Sequence, residues 1–143
     1  MATKAAFRSA FKARPCLIPT VGYYEWSVNP DDKKKDPWLI HAAKPLWAAG
    51  LWEDASKLLG EDDVGTFTVI TGDSSGVSAD IHDRMPVWLP PGQAQEWINA
   101  DSDVAMSMLL ASEPPPMEAY RVGRAVNTPR NNRPDQIEPS TEL

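Results

Sequence analysis

Little in this sequence supports cysteine chemistry, metal binding or membrane insertion. The 143 residues include one cysteine, Cys16, and two histidines, His41 and His82. A single thiol excludes an internal disulfide and any multi-cysteine zinc site. Two histidines without an ordered cluster of cysteine and carboxylate ligands predict no metal, and the sequence calls for no cofactor. No apolar run approaches the ~18 residues of a membrane helix, so no membrane partner is expected. Met1 to Arg14 lacks the continuous apolar stretch of a signal peptide, and Lys and Arg recur through it. A cytoplasmic protein is the expectation. Basic residues are also in the minority. Fourteen Lys and Arg against 20 Asp and Glu give a net charge of −6, which excludes coating of nucleic acid by bulk charge. A local basic groove stays open, because acidic residues gather at 31–32, 53–54, 61–63 and 101–103.

What is present is a core. Hydrophobic residues make up 42% of the chain and six are Trp, enough for a folded domain without staples. Ala5 to Ala13 reads as a helix capped by Thr3, with Phe7, Ala10 and Phe11 at helical spacing and Arg14-Pro15 ending it. Strands are expected at Cys16–Ile18, Gly22–Trp26, Pro37–His41, Leu46–Glu53, Thr66–Thr71, Val87–Leu89 and Met117–Val122. Between them lie a polar loop at Asn29–Asp36, a connection at Ala42–Pro45, a loop at Lys57–Asp63 and a turn at Gly72–Gly76. One helical turn is expected at Val77–Asp80, and helices at Gln93–Asn99 and Ser102–Leu110. The chain beyond Gly123 is polar and Pro-rich. Residues 1–138 then form one domain, and 139–143 a disordered tail. Strands first and helices late predict an α+β fold with a mostly antiparallel sheet or open barrel and a few short helices.

The densest chemistry is at Ile81-His82-Asp83-Arg84-Met85-Pro86. A proton carrier, a carboxylate and a fixed cation occupy consecutive positions there. A solvated turn with an incidental histidine has the same pattern. Glu25 is the second candidate. It lies mid-strand among aromatics, with Tyr23 on its own face and Tyr24 and Trp26 on the other. A carboxylate there is either an outward-facing strand residue or part of a site beside His82. His41 reads as an ordinary strand histidine. Cys16, among apolar neighbours, reads as an inert thiol. Lys33-Lys34-Lys35 reads as a solvated loop, and most of the Trp residues as core.

Together these segments resemble a known family. Cys16-Leu17-Ile18-Pro19, Gly22-Tyr23-Tyr24-Glu25-Trp26, Ala48-Ala49-Gly50-Leu51-Trp52-Glu53, His82-Asp83-Arg84-Met85-Pro86 and Arg124-Ala125-Val126-Asn127 follow the order of the SRAP domain (SOS response-associated peptidase family). The resemblance runs from about Ala5 to Pro139. It implies a protein that binds abasic sites in single-stranded DNA and cross-links to them. The family's nucleophile is an N-terminal cysteine exposed by removal of Met; its amine and thiol close a thiazolidine on the sugar aldehyde. The family's glutamate matches Glu25 and its histidine matches His82. The resemblance implies proton transfer at a forming Schiff base for the first and help in opening the sugar ring for the second. Arg84, with Asp83 beside it, is the expected DNA contact.

Family members begin Met-Cys-Gly-Arg, whereas this chain begins Met1-Ala2-Thr3-Lys4. The family's asparagine-arginine segment ahead of the first helix is absent too. The expectation is therefore an N-terminally truncated domain without covalent capture, as Ala2 offers an amine but no thiol. Two alternatives stand beside it. One is a peptidase or other hydrolase using His82 and Glu25; the other is an inactive fragment, or half of a split domain completed by a partner chain.

Overall fold

The structure, a computed structural model, describes residues 5–140. Thr3, expected to cap the first helix, lies outside them, as do the Phe7 side chain and residues 141–143 of the expected tail. The chain is α+β, with antiparallel sheets and a few short helices. It divides into two compact units. One comprises the chain up to Pro19, Trp47–Gly72 and Pro86–Pro114; the other comprises Thr20–Leu46, Asp73–Met85 and the chain from Pro115. Two long strands, β1 (Pro15–Val28) and β2 (Lys35–Asp54), pair with each other and belong in part to each unit.

In the first unit, α1 (Ala5–Ala13) forms where alanines dominate. The Arg14 amide closes on the Ala10 carbonyl at 2.7 Å, and Pro15, with no amide hydrogen, starts β1. Ala10 and Phe11 are buried. The far end of β2 pairs antiparallel with β3 (Gly65–Val69), from Gly50 opposite Val69 to Asp54 opposite Gly65. The expected polar loop at Lys57–Asp63 starts instead as a one-turn helix, α2 (Ser56–Leu59). The Asp54 carboxylate accepts the Ser56 amide at 2.9 Å, and Gly60 ends the turn at φ 70°, where a side chain would be strained. After a 3-10 turn at Pro91–Gln93, α3 (Ala94–Asn99) and α4 (Ser102–Ala111) complete the unit. Asp101 caps α4 by accepting the Asp103 and Val104 amides. These elements enclose Trp97, Leu51, Ile70, Leu89 and Met108. Trp97 is fully buried and its indole N–H is satisfied by the Cys16 carbonyl at 2.9 Å.

In the second unit, the early part of β2 pairs antiparallel with β6 (Glu118–Arg121), from Trp38 opposite Arg121 to His41 opposite Glu118. The break expected at Ala42–Pro45 does not occur, and β2 runs unbroken for 20 residues. Ala43, Lys44 and Pro45 are exposed there, where a missing amide donor is tolerated. β1 approaches β2 so closely at Gly22 that a Cβ would lie 2.7 Å from the Ile40 carbonyl oxygen. The strand expected through Thr71 ends at Val69, and the Gly72 turn is partly strand. β4 (Thr71–Asp73) pairs with β5 (Arg84–Pro86) in a separate two-stranded sheet. The strand expected at Val87–Leu89 is not continuous with β5, which ends at Pro86; that segment instead makes an isolated bridge, Trp88 to Ala48, flanked by backbone bonds of Val87 with Ala49 and Ile70 and of Leu89 with Trp47. At the described C-terminal end, the Ser140 amide donates to the Arg121 carbonyl at 2.7 Å.

Candidate functional site

Glu25 and His82 come together in the second unit, one from a strand and one from a loop. Glu25 lies on β1, where alternation puts it on the face of Tyr23. The opposite face is committed to structure. Trp26 donates its indole N–H to Asn127 Oδ1 at 2.7 Å, and the Tyr24 hydroxyl reaches the Gln136 carbonyl at 3.4 Å. His82 follows a 3-10 turn at Gly76–Ser78 and precedes β5. The Ser78 carbonyl accepts the Ile81 amide at 3.1 Å and the His82 amide at 2.9 Å, which winds the chain back on itself. Downstream, the Ser74 amide donates to the Asp83 carbonyl at 3.0 Å, closing the loop.

Among the described residues, the partners of the imidazole meet Nδ1. Glu25 Oε2 lies 4.0 Å away and Asp83 Oδ1 3.3 Å away. The Arg84 amide donates to Nδ1 over 3.1 Å, and the Arg84 carbonyl lies at 3.2 Å. The ring can therefore be held in either state. Neutral, Nδ1 accepts the Arg84 amide and the proton sits on Nε2. Protonated, Nδ1–H faces a carbonyl and two carboxylates. Among the described residues no hydrogen-bond or ion-pair partner meets Nε2. The Glu25 side chain is 22% exposed and that of His82 45%, so both are reachable by solvent and ligand.

Asp83 and Arg84, expected to contact DNA, sit in the same loop but are engaged differently. Asp83 is open to solvent, with an 86% exposed side chain. Arg84 donates to Asp73 Oδ1 at 2.7 Å, which anchors the guanidinium at the edge of the site. The pairing with Asp73 was not legible in the sequence, since it depends on β4 meeting β5. The Tyr23 and Ser78 hydroxyls, 2.7 Å apart, were missed as well. Their only sequence signal is position: Tyr23 shares a strand face with Glu25, and Ser78 precedes His82 by one helical turn.

The remaining candidates lie elsewhere. His41 packs edge-on against Tyr120, with ring centres 5.4 Å apart. Cys16 is half-buried in the first unit, and burial pushes its thiol pKa above the ordinary value. A thiol so placed is a poor nucleophile. Among the described residues no His, Cys, Asp and Glu side chains are grouped to hold a metal ion. No helix there is long and apolar enough to cross a membrane.

A family model, SOS response associated peptidase (SRAP), matches residues 1–129. The chain belongs to the SRAP family. It is 38% identical over 143 aligned residues to "Abasic site processing protein YoqW" of Bacillus subtilis (strain 168), covering 96% of this chain and 63% of that protein. It is 40% identical to YobE of the same organism, likewise an abasic site processing protein, covering 90% of this chain and 60% of the relative. The chain thus spans less than two thirds of the length of these SRAP relatives. A solved protein from Bacteroides thetaiotaomicron has the same fold, with a TM-score of 0.75 at 22% identity over 97% of this chain and 62% of that one.

Proposed function

We propose that this SRAP chain recognises abasic sites in single-stranded DNA through Glu25 and His82, and that the 143-residue polypeptide alone does not cross-link to them. The observation that carries the proposal is the meeting of the Glu25 carboxylate and the His82 ring, 4.0 Å apart at a partly open surface. An abasic sugar equilibrates between a ring-closed hemiacetal and an open aldehyde. His82 Nε2–H donates a proton to the ring oxygen as it opens. Glu25 takes or returns the proton shared with the sugar hydroxyl and stabilises positive charge nearby. Arg84, steadied by Asp73, contacts the flanking phosphate. Exposed Asp83 borders the strand and disfavours phosphate on its own side. The names of the relatives, abasic site processing proteins, support the lesion as ligand.

Covalent capture as a thiazolidine needs one residue with both a free amine and a thiol. The only thiol of this polypeptide is Cys16, which is internal. Covalent capture would therefore draw its amine and thiol from outside these 143 residues, a partner chain being one source. A hydrolase using His82 and Glu25 is the second reading, suggested by the family's description as a peptidase. Ser78, the serine nearest His82 in the chain, does not favour it: it is 2% exposed and bonded to Tyr23.

The test uses single-stranded DNA with one abasic site, run on denaturing gels with and without borohydride and on native gels beside undamaged DNA. Preferential native binding with no heat-stable adduct in the absence of borohydride is expected. A heat-stable adduct without borohydride contradicts the non-covalent part, and equal binding of both DNAs contradicts the lesion-specific part. Casein-type turnover lost in His82→Ala would establish the hydrolase instead.

A further inference from the structure

We infer that Tyr23 and Ser78 form a positioning pair that sets the distance between Glu25 and His82. This inference rests on the function proposed above for what the distance does, but not for the contact itself. The Tyr23 hydroxyl and Ser78 Oγ lie 2.7 Å apart. Tyr23 precedes Glu25 by two residues on one strand face, so the two side chains project the same way. Ser78 is the last residue of the 3-10 turn, is 2% exposed, and its carbonyl receives the amides of both Ile81 and His82. One part-buried side-chain bond therefore links the carboxylate-bearing strand to the backbone that presents the imidazole.

The 4.0 Å approach of His82 to Glu25 is partly solvated and too long for a hydrogen bond. Arg84 and Asp73 tie the loop to β4, and the Ser75 amide reaches Met85 Sδ at 3.4 Å. Those contacts hold the loop to its own flanking segments, and the hydroxyl pair ties it to β1. The pair persists through the neutral range. Burial raises the Tyr23 pKa; the Ser78 bond opposes this and the Glu25 charge adds to it, with a net rise. The phenol therefore keeps its proton. Neither residue is catalytic in this account, because Ser78 is sealed from solvent and Tyr23 acts through it.

The primary variant is Tyr23→Phe, which keeps the ring and removes the one oxygen. Amide hydrogen exchange, read without DNA, is expected to speed up about tenfold at Ile81 and His82, the cost of one net hydrogen bond, while β2 and β3 amides are unchanged. Ser78→Thr, which keeps the hydroxyl, is expected to exchange more slowly there than its near-isostere Ser78→Val. The DNA arm measures the ratio of affinities for abasic and undamaged single strands. Tyr23→Phe is expected to lower that ratio several-fold in the wild-type background and not at all in Glu25→Gln, because the pair acts through the Glu25–His82 geometry. A merely structural role would lower binding of both DNAs equally in both backgrounds. Unchanged exchange at Ile81 and His82 in Tyr23→Phe would overturn the inference. If the wild type shows no abasic preference, the function proposed above fails, and the exchange arm still decides the contact.

Discussion

Asp36 shows at the scale of one residue how the second unit resists water. Its carboxylate is buried, and burial alone would raise its pKa. Hydrogen bonds from Asn29 (2.8 Å) and Arg124 (2.8 Å), with the charges of Arg121 and Arg124, bring it below the usual carboxylate value instead. Arg121 Nη2 approaches to 2.5 Å. A carboxylate whose pKa is lowered on folding adds stability that is present above its unfolded value, near pH ~3.9, and is lost as pH falls through its folded value. Asp36→Asn is therefore expected to cost about 1.5–3 kcal/mol at neutral pH, the range for hydrogen bonds to a charged group. The deficit should shrink in urea titrations run below pH ~3.9. A deficit of the same size at pH 7 and at acid pH would remove Asp36 ionisation as its cause. The cluster also bears on the site. Arg124 heads the short turn that carries Asn127, and Asn127 holds the indole of Trp26, the neighbour of Glu25.

At the scale of elements, the close approach of β1 and β2 is set by Gly22. In Gly22→Ala the new Cβ would meet the Ile40 carbonyl at 2.7 Å and the His41 Cβ at 3.1 Å, both on a strand that cannot easily retreat. A loss of about 1–3 kcal/mol is expected from such overpacking, read as a lower urea midpoint with an unchanged slope. Wild-type stability in this variant would mean that the strands separate without cost. Elements were legible where local chemistry names them. The spacing of Ala10 and Phe11 ahead of Arg14-Pro15 marks α1, an Asp-rich first turn marks α4, and β-branched residues mark β3. The continuity of β2 was hidden because Pro45 reads as a break, and only its exposed surroundings make it harmless. The helical turn α2 was too short to show periodicity. The candidate site was half legible. Glu25 and His82 stand out by type and motif, whereas the Arg84–Asp73 and Tyr23–Ser78 pairs depend on which loop meets which strand, a tertiary matter with no local signal.

At the scale of the molecule, a net charge of −6 gives no bulk attraction to DNA, so the salt dependence of binding reports local phosphate contacts. Few phosphate contacts are expected, since Arg84 is the cation tied to the site. Affinity for an abasic single strand should therefore fall with a log–log salt slope of only about −0.7 to −1.4, one or two contacts by counterion release. A slope many times steeper would point to an extended basic groove away from the site. The central claim is that Glu25 and His82 together read the lesion. The most direct measurement is the abasic-to-undamaged affinity ratio of the full chain, compared with Glu25→Gln and His82→Ala at one salt concentration. Wild type should favour the abasic strand by about tenfold or more, the equivalent of ~1.4 kcal/mol. Each variant should bring the ratio close to one while binding undamaged DNA as before. A ratio that survives both substitutions would contradict the claim and move lesion recognition to another surface.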